Sequence, residues 1–208
     1  GYSEDTPPVN SAIRYILKHQ SPDGHFCSEE HCRATYETSL AILALVATGN
    51  PAYADEIAKA REWLVQAQNG EAHAPYSHGL QCIDPDSCWG YGGWCYGYDC
   101  GYTHEEVEGP FVWSDLSNTQ FALMALKAAG LPPDSKVWRR AEDFVSRCQD
   151  IAGGFAYHPP GGVHEEQVRG SMTAAGIWCL RLCGVPPTDE RIQKGLEWLK
   201  RFYSYWDN

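Results

Sequence analysis

Residues 38–51 read TSLAILALVATGNP and residues 60–68 read AREWLVQAQ, and setting these two stretches side by side decides the fold. From Ser39 to Ala47 the first is nearly apolar all round, the signature of a helix buried on most of its faces. Gly49 stands where a left-handed helix C-cap belongs and Pro51 follows two residues on, so the helix stops there. The second stretch differs. Ile57, Ala60 and Leu64 recur at three-to-four spacing with Lys and Arg on the other side, which makes an amphipathic helix with one covered face. A buried helix followed by a half-covered one is the unit of a two-layer helical array.

Working outward, both stretches recur. The amphipathic type, a small residue, an aromatic three on and Gln five further, occurs as Ala12/Tyr15/Gln20, Ala60/Trp63/Gln68 and Ala141/Phe144/Gln149, with a fourth copy at Gly195/Trp198 where Tyr203 replaces Gln. The buried type occurs as Thr38/Gly49/Pro51, Thr119/Gly130/Pro132 and Thr173/Gly184/Pro186. From each Thr to the next small residue is 22 positions (38 to 60, 119 to 141, 173 to 195). The spacing predicts four outer helices, near 10–20, 53–68, 135–149 and 188–203, and three inner ones, near 35–48, 115–129 and 169–183. The fold class is all-α, a helical-hairpin repeat in one domain over 1–208, with a Cys/Gly/aromatic-rich loop insertion at 69–114.

The joins are unequal. Inner-to-outer joins are short and constant, whereas outer-to-inner joins span 26, 59 and 32 positions (12 to 38, 60 to 119, 141 to 173). In a stacked array the variable joins emerge on one face, commonly the binding face. These joins carry His25, His31, His73, His78, His104, His158 and His164, seven of the eight His, together with six of the nine Cys.

The copies running from Ala12 through Gln20 to Gly24 and Phe26, and from Ala141 through Gln149 to Gly153, Gly154 and Phe155, resemble the Gln-aromatic repeats of the terpene cyclase and prenyltransferase α/α-toroid superfamily. The resemblance covers most of the chain outside 69–113 and implies an open, partial toroid of about seven helices, because a closed one takes more helix pairs. Its catalytic motifs are incomplete. The alkene-protonating Asp-x-Asp-Asp has its nearest match in Asp84-Pro-Asp86-Ser87, without the last acid. The prenyltransferase zinc string Asp-x-Cys matches Asp86-Ser87-Cys88, but inside the insertion. The thioester motif Gly-Cys-Gly-Glu-Gln and the hydrolase strings Gly-x-Ser-x-Gly and His-Glu-x-x-His are absent.

Within the insertion Cys82, Cys88, Cys95 and Cys100 alternate with Trp89, Tyr91, Trp94, Tyr96 and Tyr98. One reading is an aromatic surface that stacks sugar rings or grips a protein, which makes those five aromatics and Asp115 ligand-binding candidates. The other is a loop short of aliphatics and cross-linked to compensate; with Cys27 and Cys32 it gives six disulfide candidates. Zinc is a further reading, although Cys-x-x-Cys pairs are missing. Cys148, Cys179 and Cys183 fall on helices and read as buried thiols. His25 and His31 with Glu29 and Glu30, His104 with Glu105 and Glu106, and His158 and His164 with Glu165 and Glu166 form three clusters whose histidines are metal candidates for zinc or calcium if the loops converge; no other cofactor is expected. Asp115 and Asn118 open an inner helix and read as its cap.

The 208 residues are 43% apolar and 21% charged with a net charge of −11, which excludes disorder and disfavours a nucleic-acid binder or a protein docked on an anionic membrane. The longest apolar run, Ala41 to Ala47, is too short to span a bilayer. Nothing at Gly1 reads as a signal peptide. The last segment holds Trp198, Phe202, Tyr203, Tyr205 and Trp206 without a cap; the last four are interface candidates. The leading expectation is a non-enzymatic scaffold, secreted, periplasmic or cell-surface, that assembles as a homo-oligomer or filament or joins the remainder of a longer toroid. The alternatives are an enzyme at the loop face acting on an isoprenoid-like or carbohydrate ligand, and a binding module using the aromatic insertion.

Overall fold

The computed structural model describes residues 4, 6–27, 33–70, 88–96, 114–159 and 167–202. Seven α-helices stand among them: α1 (Pro7–Lys18), α2 (Ala34–Thr48), α3 (Ala54–Gln66), α4 (Leu116–Ala128), α5 (Lys136–Arg147), α6 (Gly170–Leu182) and α7 (Glu190–Phe202). No strand occurs among the described residues, only isolated bridges. The largest boundary difference is at α1, which starts at Pro7 because proline fits the first helical turn, where its missing N–H has no partner to lose. Ser135 caps α5 by accepting the Val137 N–H, and Gly49 closes α2 at φ +67°.

The layers match the two sequence types. α4 packs between α2 and α6, which makes the inner layer; α1, α3, α5 and α7 lie outside it, α3 touching both α2 and α4, and α5 both α4 and α6. The core lies between the layers and holds Ile42, Leu45, Trp63, Leu64, Leu123, Leu126, Phe144 and Leu180. Each large side chain buried there stabilises the fold by about 1.5–3 kcal/mol.

The repeat residues do one job three times. The amide nitrogen of Gln20 donates to Gly24 O (3.0 Å) and Glu56 O (2.9 Å), that of Gln68 to Gly92 O (2.9 Å) and Val137 O (3.0 Å), and that of Gln149 to Gly153 O and Arg191 O (both 2.8 Å). Each Gln therefore ties the end of one outer helix to the start of the next. The inner-helix Thr completes the turn: Thr38, Thr119 and Thr173 accept the N–H of Phe26 (2.9 Å), Trp94 (3.2 Å) and Phe155 (3.0 Å). The glycine between must be glycine, since at Gly24 φ is +103° and an added Cβ would sit 2.6 Å from Lys59 O.

This register corrects the reading of the insertion. Gly92, Gly93 and Trp94 occupy the place that Gly153, Gly154 and Phe155 occupy one repeat later, so the insertion interrupts the chain between Gln68 and Gly92 and then rejoins the pattern. Its two ends are closed by Gly92 N–H to Asn69 O (2.7 Å) and Asn69 N–H to Gly93 O (3.0 Å). Arg147 of α5 grips it from outside, donating to Trp89 O (2.8 Å) and Tyr91 O.

The variable joins meet the inner helices at their N-terminal ends. Thr35 N–H donates to Tyr96 O (3.2 Å), and Leu116 N–H donates to Tyr157 O (2.8 Å). Tyr96 and Tyr157 each lie two residues beyond their repeat aromatic, so each covers the start of an inner helix with its carbonyl.

A carboxylate and two phenols at the start of α4

Asp115 is the N-cap of α4, and its position follows from sequence: an acid with extended backbone directly before an apolar helix. One carboxylate oxygen accepts the Asn118 N–H (2.7 Å) and the other accepts from Asn118 Nδ2 (2.6 Å). The nearby Ser117 N–H and Tyr157 hydroxyl also favour the charged form. Asp115 is nonetheless fully buried, and loss of solvent outweighs those bonds, so its pKa is pushed up to about 6.

The two covering tyrosines meet above it, with Tyr96 Oη 2.7 Å from Tyr157 Oη. Tyr36, from the first turn of α2, pairs its hydroxyl with that of Ser117 and sets its ring 5.6 Å from Tyr96 and 5.0 Å from Phe121. Burial pushes the Tyr36 and Tyr157 phenols up as well, so both stay protonated at neutral pH. The Arg33 guanidinium lies 5.6 Å from the centre of the Tyr96 ring. Behind Tyr157, His158 is 2.8 Å from Ser114 O through Nδ1; a carbonyl only accepts, so Nδ1 carries the proton. Its ring lies edge-on to Tyr157 at 4.8 Å and 5.1 Å from Trp89.

The inner helices also leave a set of apolar residues exposed or half-buried, which Phe121 joins to the polar group through the Tyr36 ring. The set comprises Leu40 (50% exposed) and Ala44 of α2, half-buried Phe121 and Met124 of α4, and Ala174 and Trp178 (49% exposed) of α6.

The sequence candidates separate accordingly. Asp115 and Tyr96 come together, whereas Trp94, expected to display its ring, is fully buried with its indole N–H donating to Leu64 O (2.8 Å). Tyr91 is buried beside Cys88, and Trp89 is half-buried. Tyr98 lies outside the described residues. His25 contacts Asp23 (2.6 Å) and Ser21 (2.7 Å) and lies 5.2 Å from the Trp63 ring. Among the described residues no group of three or more His, Cys, Asp or Glu is placed to hold a metal ion; His31, His104 and His164 lie outside them. Cys27 and Cys88 are disulfide-bonded, each to a partner outside the described residues; Cys32, Cys82 and Cys100 lie outside the described residues. Cys95, expected to be cross-linked, is instead a buried thiol, like Cys148 and Cys179; burial pushes the Cys183 thiol up to about 12. Phe202 is half-exposed, while Tyr203, Tyr205 and Trp206 lie outside the described residues. No described helix is long and apolar enough to cross a membrane.

Tyr36 and Tyr157 were not legible as site residues. For Tyr157 a signal existed, its equivalence to Tyr96 in the register of the repeat; for Tyr36 none did, because it reads as an ordinary first-turn residue of a buried helix.

No curated protein matches the chain. Thirteen solved chains do, among them a type II terpene cyclase from Scytonema in complex with its substrate geranylgeranyl dihydroxybenzoate, at 20% identity and a TM-score of 0.49. That match covers 95% of this chain and 49% of the other, so the chain spans about half the length of that structure. The family model of the squalene-hopene cyclase C-terminal domain matches residues 1–159. Over three quarters of its length, and with the Gln-tied helical hairpins that build its two layers, this chain belongs to the squalene-hopene cyclase C-terminal domain family.

Proposed function

We propose that the chain is an enzyme-like, terpene cyclase-related module that takes an apolar, isoprenoid-like ligand along the exposed apolar residues of its inner helices, with Asp115 and its phenols as the polar end of the site. The observation that carries this reading is a fully buried carboxylate near the Tyr157–Tyr96 hydroxyl pair, with the Tyr36 ring leading from it to Phe121 and the exposed apolar residues of the inner helices, Leu40, Met124 and Trp178 among them. A buried carboxyl of raised pKa next to apolar surface suits proton transfer to or from a bound molecule. Titrating the protein with an isoprenoid alcohol while following tryptophan fluorescence tests it, because Trp178 is one of those residues. Saturable quenching, lost in Trp178→Phe, supports the reading; an unchanged spectrum at millimolar ligand overturns it.

A second reading has its own observation. Tyr15 of α1 is 60% exposed although its repeat equivalents Trp63 and Phe144 are buried, and Phe202 of α7 is 52% exposed although its equivalents Ala67 and Cys148 are buried. Faces that the repeat buries elsewhere are thus open at both ends of the array, which supports association with further repeats or with a second copy. The disulfide bonds at Cys27 and Cys88 favour an oxidising, extracytoplasmic compartment.

A further inference from the structure

Thr35 Oγ1 and Ser39 Oγ of α2 and Asn118 Oδ1 of α4 are buried without a hydrogen-bond partner among the described residues, and all three side chains are fully buried. The repeat register sets them opposite one another. Equivalent residues of α2 and α4 stand level, since Tyr36 pairs with Ser117, its equivalent, and Thr35 and Leu116, also equivalents, each donate their N–H to a covering tyrosine carbonyl. Asn118 is therefore level with Glu37, midway in height between Thr35 and Ser39. Tyr36 reaches α4, with its ring 5.0 Å from Phe121, and Ser39 lies one turn further along the same side of α2, with Thr35 a turn before Ser39. The Asn118 amide has one orientation open to it. Its Nδ2 donates to Asp115, which as a carboxylate only accepts, so Oδ1 points to the other side. There it needs a donor, and neither hydroxyl reaches it directly.

We propose that the join of α2 and α4 is a binding site for one structural water, which donates to Asn118 Oδ1 and bonds the hydroxyls of Thr35 and Ser39. Through that water Thr35 and Ser39 are positioning residues, which hold the Asn118 amide with its Nδ2 on Asp115. Three polar partners are what a buried water commonly has, and amide oxygens and hydroxyls buried in a helix join are ordinarily paired. The use of Asp115 as the polar end of a ligand site rests on the reading above; the water site does not, and it is tested without ligand.

Thr35→Val and Ser39→Ala together remove both hydroxyls from the full chain. If no water bridges them, the change deletes two unpaired polar groups and raises the thermal midpoint, the more so because Ala is the better helix former at position 39. With the water, Asn118 Oδ1 loses its donor and the midpoint should fall by about 3 °C. The Asp115 carboxyl carbon, followed by NMR and assigned by its loss in Asp115→Asn, should titrate about one pH unit higher in the double variant, because the freed amide no longer holds Nδ2 on the charged form. That signal separates Asp115 from the groups around it, Tyr36 of α2, Tyr96, Tyr157 and His158 of the loops and Cys148 at the end of α5. Thr35→Ser keeps the hydroxyl and should leave midpoint and titration unchanged. A midpoint that rises in the double variant, or a crystal structure with no water between the three atoms, overturns the site. A midpoint that falls while the Asp115 titration stays in place overturns the positioning role. Stabilisation by sodium chloride but not by choline chloride assigns the place to a cation and overturns the water.

Discussion

Replacing Asp115 by Asn isolates the cost of a buried charge. Asn caps a helix as well as Asp, so the bond from the Asn118 N–H persists. Its amide nitrogen replaces the oxygen that accepts from Asn118 Nδ2, so the Asn118 amide turns over and presents Oδ1 to it, which exchanges one hydrogen bond for another. What disappears is the ionisable group. Burial raises its pKa from 3.8 to about 6, a difference of about 2 units, and at about 1.4 kcal/mol per unit that is about 3 kcal/mol of linkage. The sign follows from which state holds the proton harder. The folded pKa is the higher one, so the contribution to stability is fully present below about pH 3.8 and is lost as the pH rises through about 6. The variant has no such loss. Urea unfolding followed by far-UV circular dichroism at successive pH values should therefore show the stability of the variant, relative to wild type, growing by about 3 kcal/mol between about pH 3.5 and about pH 7.5. A flat difference across that window, or one that shrinks as pH rises, would refute the claim that desolvation dominates at Asp115.

Trp94→Ala should destabilise the fold by about 3–5 kcal/mol in the same assay, the range for emptying a large core site, whereas Trp89→Ala should cost much less. Gln149→Ala strands the carbonyls of Gly153 and Arg191 and should cost about 1–3 kcal/mol, read as a lower unfolding midpoint with α7 exchanging its amide protons first. Iodoacetamide applied to the folded protein should leave Cys27 and Cys88 unmodified even after unfolding without reductant, while Cys95, Cys148 and Cys179 become labelled only on unfolding. Tyr15→Ser combined with Phe202→Ser should lower the sedimentation coefficient if the open ends associate, with the circular dichroism unchanged.

The helices were legible because their register is enforced by the backbone. Gln at the end of an outer helix and Thr at the start of an inner one are fixed by the carbonyls and N–H groups that they must reach, so they recur while the residues around them vary. The insertion misled for the complementary reason. Between Gln68 and Gly92 the chain departs from the four-residue spacing of Gln20–Gly24 and Gln149–Gly153, and the density of Trp, Tyr and Gly there reads as surface chemistry. Gly92-Gly93-Trp94 matching Gly153-Gly154-Phe155 was the available correction. Asp115 was legible as a cap from its local sequence alone. Its partnership with Tyr157 and Tyr96 was not, since loops from two different repeats must fold back over α2 and α4 before the phenols meet.

The paired bonds of Asn69 with Gly92 and Gly93 make the interrupting segment a closed excursion that leaves the array and returns to the same point. The stretch 71–87 can in that case be exchanged for a short turn or for an unrelated peptide at little entropic penalty, because closure costs grow only slowly with loop length, whereas Cys88 to Tyr91 stay, held by Ser114, Arg147 and His158. The scaffold then treats this segment as a cassette. Lengthening or shortening it leaves Trp94, and through it the spacing of Tyr96 above Asp115, untouched.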